Sequence, residues 1–122
     1  MTNTSICTRS SGAPGGRTVH LGGQTALGAD GAIRGETLAE QFDVAAGNVL
    51  AALRAAGGTP EDLVQMLLFV TDVTEYKASR RELGEVWKRR FGRHYPAIAL
   101  LGVSALYDDA ARIELVATAV IA

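Results

Sequence analysis

The sequence predicts one α+β domain, and three patterns of hydrophobic residues support that prediction. In two segments apolar residues recur every three or four positions, which indicates two amphipathic helices. An almost continuous apolar run lies between these segments, and an alternating pattern closes the chain; both are typical of β-strands. A length of 122 residues suits one domain, and no linker or repeat divides residues 1–122.

Short strands are predicted near the start of the chain. Residues 6–10 and 17–21 form two candidate strands around the glycine-rich turn of residues 12–16. Asp30-Gly31 marks a second tight turn, and Ile33 lies on a short returning edge.

The first helix is predicted to begin after Thr37. Thr37 and Glu40 have the spacing of a capping box, and Gly57-Gly58 is a typical helix end. Between these signals the apolar residues form one stripe, which consists of Leu38, Phe42, Ala46, Val49, Leu50 and Leu53.

The second half of the chain predicts a strand, a helix and two further strands. Residues 63–70 are apolar apart from Gln65, as expected for a central strand that is buried on both faces. A helix is predicted from about residue 74 to residue 91, with a cationic last turn and with inward-facing Tyr76, Leu83, Val86 or Trp87, and Phe91. Pro96 opens the next strand, and residues 112–121 alternate as the last one.

These elements predict a mixed sheet of five to six strands with two helices, which can cover only one face of it. Val116 and Val120 would then lie on the uncovered face. A monomer would expose a sizeable apolar surface there, and such surfaces usually mark interfaces. We therefore expect a homo-oligomer, for which three sheets turned inward around an axis would be one closed arrangement.

Composition argues against several classes of function. The formal net charge of −1 gives no electrostatic signature of nucleic-acid binding or of an anionic membrane surface. The longest apolar run, residues 96–106, is too short to span a bilayer, and residues 1–16 lack the apolar core of a signal peptide. The single cysteine, Cys7, excludes an internal disulfide and a cysteine-based zinc site. We expect a cytoplasmic protein with no metal, no nucleic-acid partner and no membrane partner.

Two C-terminal segments, Tyr95-Pro96-Ala97 and Arg112-Ile113-Glu114, resemble the signature of the RidA (YjgF/Rid, endoribonuclease L-PSP-like) family. The resemblance extends over most of the chain through Gly22-Gly23-Gln24, Gly31-Ala32-Ile33, Ala55-Ala56-Gly57, Asp62-Leu63-Val64 and Phe69-Val70-Thr71-Asp72-Val73. It implies a chorismate-mutase-like fold, a homotrimer and small-molecule clefts between subunits. It also implies cofactor-free hydrolysis of reactive enamines or imines, the activity of the best-known members.

Most cleft positions of the family carry other residues in this sequence. The arginine that binds the substrate carboxylate falls on Ile98, and the cysteine two positions later falls on Leu100. The family's cleft tyrosine, serine and asparagine fall on Arg9, Gly22 and Arg80. The resemblance therefore indicates an arginine-less branch. Losing a bidentate guanidinium–carboxylate pair would cost roughly 2 to 5 kcal/mol of binding free energy, which disfavours simple 2-imino acids.

Glu114 retains the family's carboxylate, and we expect it to activate water or protonate a leaving amine. The alternative is an interfacial carboxylate paired with an arginine. Arg9 or Arg80 could replace the missing arginine, although Arg80 could instead lie on a solvated helix face and pair with Glu75 or Glu85. His94 is a candidate acid or base beside the predicted cleft.

The sequence thus leaves two main hypotheses of function. The first is an enamine or imine deaminase that uses Glu114 and accepts a larger or less acidic substrate beside Ile98 and Leu100. The second is a non-catalytic metabolite-binding or regulatory trimer. A ribonuclease is a distant third, because the basic cluster of residues 88–93 has no interleaved aromatic residues on which bases could stack.

Overall fold

The computed structural model describes residues 16–122 in full and residues 6–10 as backbone. Its strands are β1 (Ile6–Ser10), β2 (Arg17–Leu21), β3 (Leu63–Val70), β4 (Ala97–Gly102) and β5 (Ile113–Ile121). Its helices are α1 (Leu38–Ala55), α2 (Val73–Ala78) and α3 (Arg80–Phe91), and one 3-10 turn spans Pro60–Asp62. The predicted α+β class is confirmed. Most of the predicted turn at residues 12–16 and the side chains of Cys7 and Arg9 lie outside the described residues.

The strands form one mixed sheet in the order β1-β2-β5-β3-β4. Strands β3 and β4 run parallel, because the chain returns through α2 and α3 between them, and the other neighbouring pairs are antiparallel. Helix α1 packs against β5 and against α3. Alternate residues of β3 and β5, among them Met66, Leu68, Ile113 and Leu115, are buried beneath the helices.

The beginning of α1 is the capping box that the sequence predicts. The N–H of Glu40 donates to Oγ1 of Thr37 at 3.1 Å, and Oε1 of Glu40 accepts from the N–H of Thr37 at 3.0 Å. Backbone hydrogen bonds from Thr37 and Glu36 lower the pKa of Glu40, since they favour its charged form. All six residues of the predicted stripe are buried, and Gly57 follows the helix with φ of +89°.

The prediction of two helices, the second running from residue 74 to residue 91, is wrong. Two helices occupy this segment, with Ser79 between α2 and α3. Ser79 adopts φ −101° and ψ 10°, and Asp72 caps α2 by accepting from the N–H of Glu75. The N–H of Ser79 donates to the Glu75 and Tyr76 carbonyl oxygens, and its own carbonyl oxygen accepts from the N–H of Leu83. Backbone hydrogen bonds thus continue on both sides of the break, which is why apolar periodicity does not reveal it. The predicted inward residues Leu83, Val86, Trp87 and Phe91 are buried, and Tyr76 is half-buried.

Strand β3 is buried on only one face of the single chain. Its register with β5 shifts between Leu63 and Gln65, so that Val64 is the extra residue of a β-bulge and is 45% exposed. The bulge lets both Leu63 and Met66 face the helices. Beyond it, Leu67 and Phe69 point to the other side of the sheet and remain half-exposed.

The side of the sheet opposite the helices has an apolar surface, here called the open face. Phe69 pairs with both Glu114 and Leu101, and Leu67 pairs with Val116, so these side chains share one face. Leu101 is 40% exposed and Val120 is 39% exposed. Among the helices of the described residues, none has the length and apolar character that a membrane crossing requires.

Candidate functional site

Ile98 lines an apolar pocket between the sheet and α3. It pairs with Met66, whose side chain faces the helices, so Ile98 projects to the same side of the sheet. The pocket has a volume of about 250 Å³. Its lining consists of Phe42, Leu68, Tyr76, Arg80, Leu83, Gly84, Trp87, Tyr95 and Ile98. Leu100 pairs with Leu68 on this face and packs against the core beneath.

Aromatic rings form one wall of this pocket. The ring of Tyr95 stacks on Trp87 with centroids 5.8 Å apart and an interplanar angle of 7°. Phe42 stacks on Trp87 with centroids 6.4 Å apart, and Phe91 tilts against it at 4.5 Å. Nε1 of Trp87 donates to the His94 carbonyl oxygen at 3.1 Å, which fixes the indole in place.

His94 holds the loop between α3 and β4 against β3. Its Nε2 lies 2.7 Å from the carbonyl oxygen of Leu63, and a carbonyl can only accept, so this nitrogen carries the hydrogen. The ring does not line the pocket beside Ile98. His94 therefore contributes to the pocket indirectly, because its carbonyl oxygen accepts the hydrogen bond that positions Trp87.

Arg80 lies at the pocket, and the two carboxylates expected to pair with it have other partners. Glu75 accepts two hydrogen bonds from Nη1 of Arg112, at 3.0 and 3.1 Å, and Glu85 lies 4.0 Å from Arg81. Within residues 16–122, Arg80 takes part in no ion pair. Among residues 16–122, Arg80 is the one charged residue that lines the pocket.

Glu114 lies on the other side of the sheet, beside the turn of residues 22–24. Gln24 and Leu115 exchange two backbone hydrogen bonds of 2.8 Å, and the buried Gln24 amide donates to the Gly22 carbonyl oxygen. A Cβ at Gly23 would lie 2.9 Å from Cδ of Glu114, so a side chain at position 23 would displace the carboxylate. No cationic side chain of residues 16–122 lies within ion-pair distance of Glu114.

The predicted site residues thus fall into two groups. Arg80, Ile98 and Leu100 lie on the helix side of the sheet, whereas Gly22 directly precedes Gly23, which adjoins Glu114 on the open face. Arg9 belongs to β1, where it pairs with Thr18, and its side chain lies outside the described residues. Because a sheet separates the two groups, one chain cannot bring Ile98 and Glu114 to the same ligand.

A larger cavity of about 580 Å³ lies between the start of α1 and the loop from β4 to β5. Gln41, which the sequence analysis did not single out, closes its floor. The buried Gln41 amide donates to Gly35 and Ala110 carbonyl oxygens and accepts from the N–H of Arg112 at 2.8 Å. A polar residue beside the apolar stripe of α1 is the signal that could have revealed this contact. Over the described part of the chain, no cluster of side chains is suited to hold a metal ion.

Comparisons with known proteins agree with this architecture. The family model described as Endoribonuclease L-PSP matches residues 8–121. Rv2704 of Mycobacterium tuberculosis, described as a member of the YjgF/YER057c/UK114 family, is 28% identical with a TM-score of 0.70, over 94% of this chain and 98% of that one.

Two further solved structures extend the likeness. RidA of the Antarctic bacterium Psychrobacter sp. is 26% identical with a TM-score of 0.76, over 93% of this chain and 85% of that one. The Escherichia coli YjgF product is 26% identical with a TM-score of 0.73, over 84% and 80%. No protein in the comparison with curated sequences matches the chain. The family match over nearly the whole chain shows that the protein belongs to the endoribonuclease L-PSP family, in which YjgF and RidA are found.

Proposed function

We propose that the protein hydrolyses enamines or imines without a cofactor, in a cleft that neighbouring subunits of a homotrimer complete. The observation that carries the proposal is the position of Ile98 and Glu114 on opposite faces of one sheet. A ligand can contact the pocket of Ile98 and a Glu114 carboxylate together only when the carboxylate comes from another copy. The likeness to RidA within the same family supports this class of reaction.

The open face supports the assembly part of the proposal. Leu67, Phe69, Leu101 and Val116 present apolar side chains there, and monomers seldom leave a surface of this kind in water. Glu114 shares the face with them. A second copy that covers these apolar residues would therefore also place some of its own residues beside the Glu114 carboxylate.

The chemistry requires one water molecule and one proton carrier. Glu114 would take a proton from water as the oxygen attacks the imine carbon and forms a carbinolamine. It would return that proton to nitrogen and then carry the carbinolamine hydroxyl proton to the same nitrogen, so that the C–N bond breaks and ammonia leaves while the oxygen becomes the carbonyl of the product. Ile98 provides no charge, so the substrate binds by its apolar part or through an anion contact elsewhere.

The test is imine hydrolysis with and without Glu114→Gln. Imines are generated in situ by an amino-acid oxidase from a panel of amino acids, and release of the carbonyl product is followed. Wild-type protein should accelerate release, and the variant, which keeps the shape and loses the base, should be slower by roughly 10²- to 10⁴-fold. Asp109→Gln serves as a control, because this exposed carboxylate lies in the β4–β5 loop. Equal rates for wild type and Glu114→Gln would exclude Glu114 from the reaction.

A non-catalytic binding protein is the second candidate, and the exchange of the family arginine for Ile98 favours it. The imine-hydrolysis panel distinguishes the two candidates. A non-catalytic protein would bind small molecules in the cleft and would not accelerate the hydrolysis of any imine of the panel. The ribonuclease hypothesis is tested in parallel by incubation with RNA, for which we expect no cleavage.

A further inference from the structure

The pocket beside Ile98 has the size and chemistry of a site for one aromatic ring. A dry cavity of about 150 Å³ accommodates benzene, so about 250 Å³ leaves room for a ring and a short linker. The ring of Tyr95, which is 63% exposed and stacks on the buried Trp87, gives it an aromatic wall. An aromatic group that meets this wall in an offset or edge-to-face arrangement gains binding free energy in addition to that from the apolar area it buries.

A positive charge accompanies this apolar volume. Among residues 16–122, Arg80 is the only charged residue of the lining, and the acidic neighbours Glu75 and Glu85 pair with Arg112 and Arg81. The exposed Arg80 guanidinium can therefore donate two parallel hydrogen bonds to a ligand carboxylate. Arg80 belongs to α3, whereas residue 98 belongs to β4. Arg80 would therefore bind an anion from the helix side of the pocket, and an arginine at position 98 would bind it from the strand side.

We infer that this pocket selects a substrate that carries an aromatic ring and a carboxylate, with the ring against Trp87 and Tyr95 and the carboxylate on Arg80. This inference rests on the proposed function for the reaction that the substrate undergoes. Binding of the ligand to the pocket does not depend on that reaction. In this assignment Arg80 of α3 takes over the carboxylate-binding role of the family arginine. The substrates would be imino acids that carry an aromatic ring.

Trp87 provides a direct reporter, because it is the only tryptophan of the chain and lines the pocket. Three stable probes separate ring from charge: 3-phenylpropionate, propionate and the neutral 3-phenylpropanamide. A ring that enters should change the emission of Trp87. We expect 3-phenylpropionate to bind at least tenfold more tightly than propionate and about three- to tenfold more tightly than the amide, the smaller factor reflecting the exposed position of Arg80.

Three variants test the assignment. Arg80→Gln should remove the preference for the carboxylate over the amide, whereas Arg81→Gln, one residue along the same helix and outside the pocket, should preserve it. Gly84→Leu should weaken both aryl probes at least tenfold, because a Cβ at Gly84 meets no atom within 4 Å and the side chain would extend into the pocket. Its thermal unfolding should show a folded protein, since leucine favours helix over glycine.

Unchanged emission of Trp87 with all three probes would overturn the inference, as would an equal loss of carboxylate preference in Arg80→Gln and Arg81→Gln. Turnover of the imine panel is measured on the same samples. Binding without turnover would contradict the deaminase proposal alone, and turnover of small aliphatic imines without aryl binding would contradict the pocket assignment alone.

Discussion

At the scale of single residues, Ile98 contributes to the apolar character of the pocket beside α3. Ile98 is 45% exposed at the edge strand β4 and forms part of an apolar wall with Leu68 and Trp87. An isoleucine there offers a ligand dispersion contacts and no hydrogen bond. Arg80 supplies the only positive charge of the same lining, from the helix above.

Restoring arginine at this position should change which ligands bind. We predict that Ile98→Arg binds propionate about tenfold more tightly than wild type, because a second guanidinium would then face the carboxylate near Arg80. The longer side chain should also occupy ring volume and weaken 3-phenylpropionate. Emission of Trp87 measures both affinities, and Ile98→Leu, which adds no charge, should leave the affinity for propionate unchanged. Equal propionate affinity in wild type and Ile98→Arg would contradict the prediction.

At the scale of elements, the contact between α1 and α3 depends on a cluster of charges at its rim. Oδ1 of Asp43 lies 2.8 Å from Nε of Arg90 and 3.1 Å from Nη2 of Arg89. The guanidinium of Arg90 lies over Gly47, where a Cβ would approach it to 3.2 Å. Burial alone would raise the pKa of Asp43, but hydrogen bonds from Arg90 and Arg89 outweigh it, so the pKa lies below its ordinary value of 3.8.

This shift predicts an acid dependence of stability. A carboxyl group with a lowered pKa in the folded state stabilises the protein above its unfolded pKa and loses that contribution as pH falls through the folded value. At about pH 7, Asp43→Asn should be less stable by about 1 kcal/mol in the free energy of unfolding. The difference should shrink below about pH 4 and vanish once Asp43 is protonated.

Urea unfolding at several pH values measures this difference directly. Asp109→Asn, which removes an exposed carboxylate of the β4–β5 loop outside the ion pairs seen in residues 16–122, should match wild type throughout. A difference for Asp43→Asn that stayed constant down to about pH 2 would show that the ion pairs do not cause it.

At the scale of the whole molecule, residues 16–122 provide no covering layer for one face of the sheet. Helices α1 and α3 bury the other side, whereas Leu67, Phe69 and Val116 stay partly exposed on the open face. An α+β domain normally covers the apolar face of its sheet with a second layer. A second and third copy of the chain would supply that layer in the proposed trimer.

A charge on the open face should disrupt the assembly. We predict that Val116→Glu converts the trimer to monomers, since three buried carboxylates near the axis would lack partners. Light scattering coupled to gel filtration measures the mass. Ala51→Glu, on the exposed side of α1, should remain trimeric. A monomeric wild-type protein would contradict the assembly and, with it, the completed cleft.

Local sequence signals determined much of the fold. The bounds of β1, β2 and β3, the capping box at Thr37 and the buried stripe of α1 agree with the structure. These features depend on residues a few positions apart, and their periodicity reports them directly. The family resemblance came from short segments of the same kind and is confirmed by the match over residues 8–121.

Tertiary structure alone decided which side chains meet. The bulge at Val64 shifts the alternation of β3, so that the residues on either side of it do not follow one simple pattern. The break at Ser79 divides a segment that periodicity predicts as one helix. Strand register places Ile98 and Glu114 on opposite sides of the sheet, while the packing of α3 brings Arg80 to the pocket of Ile98. Periodicity reports only near neighbours along the chain, whereas these contacts join residues far apart in sequence through packing and strand register.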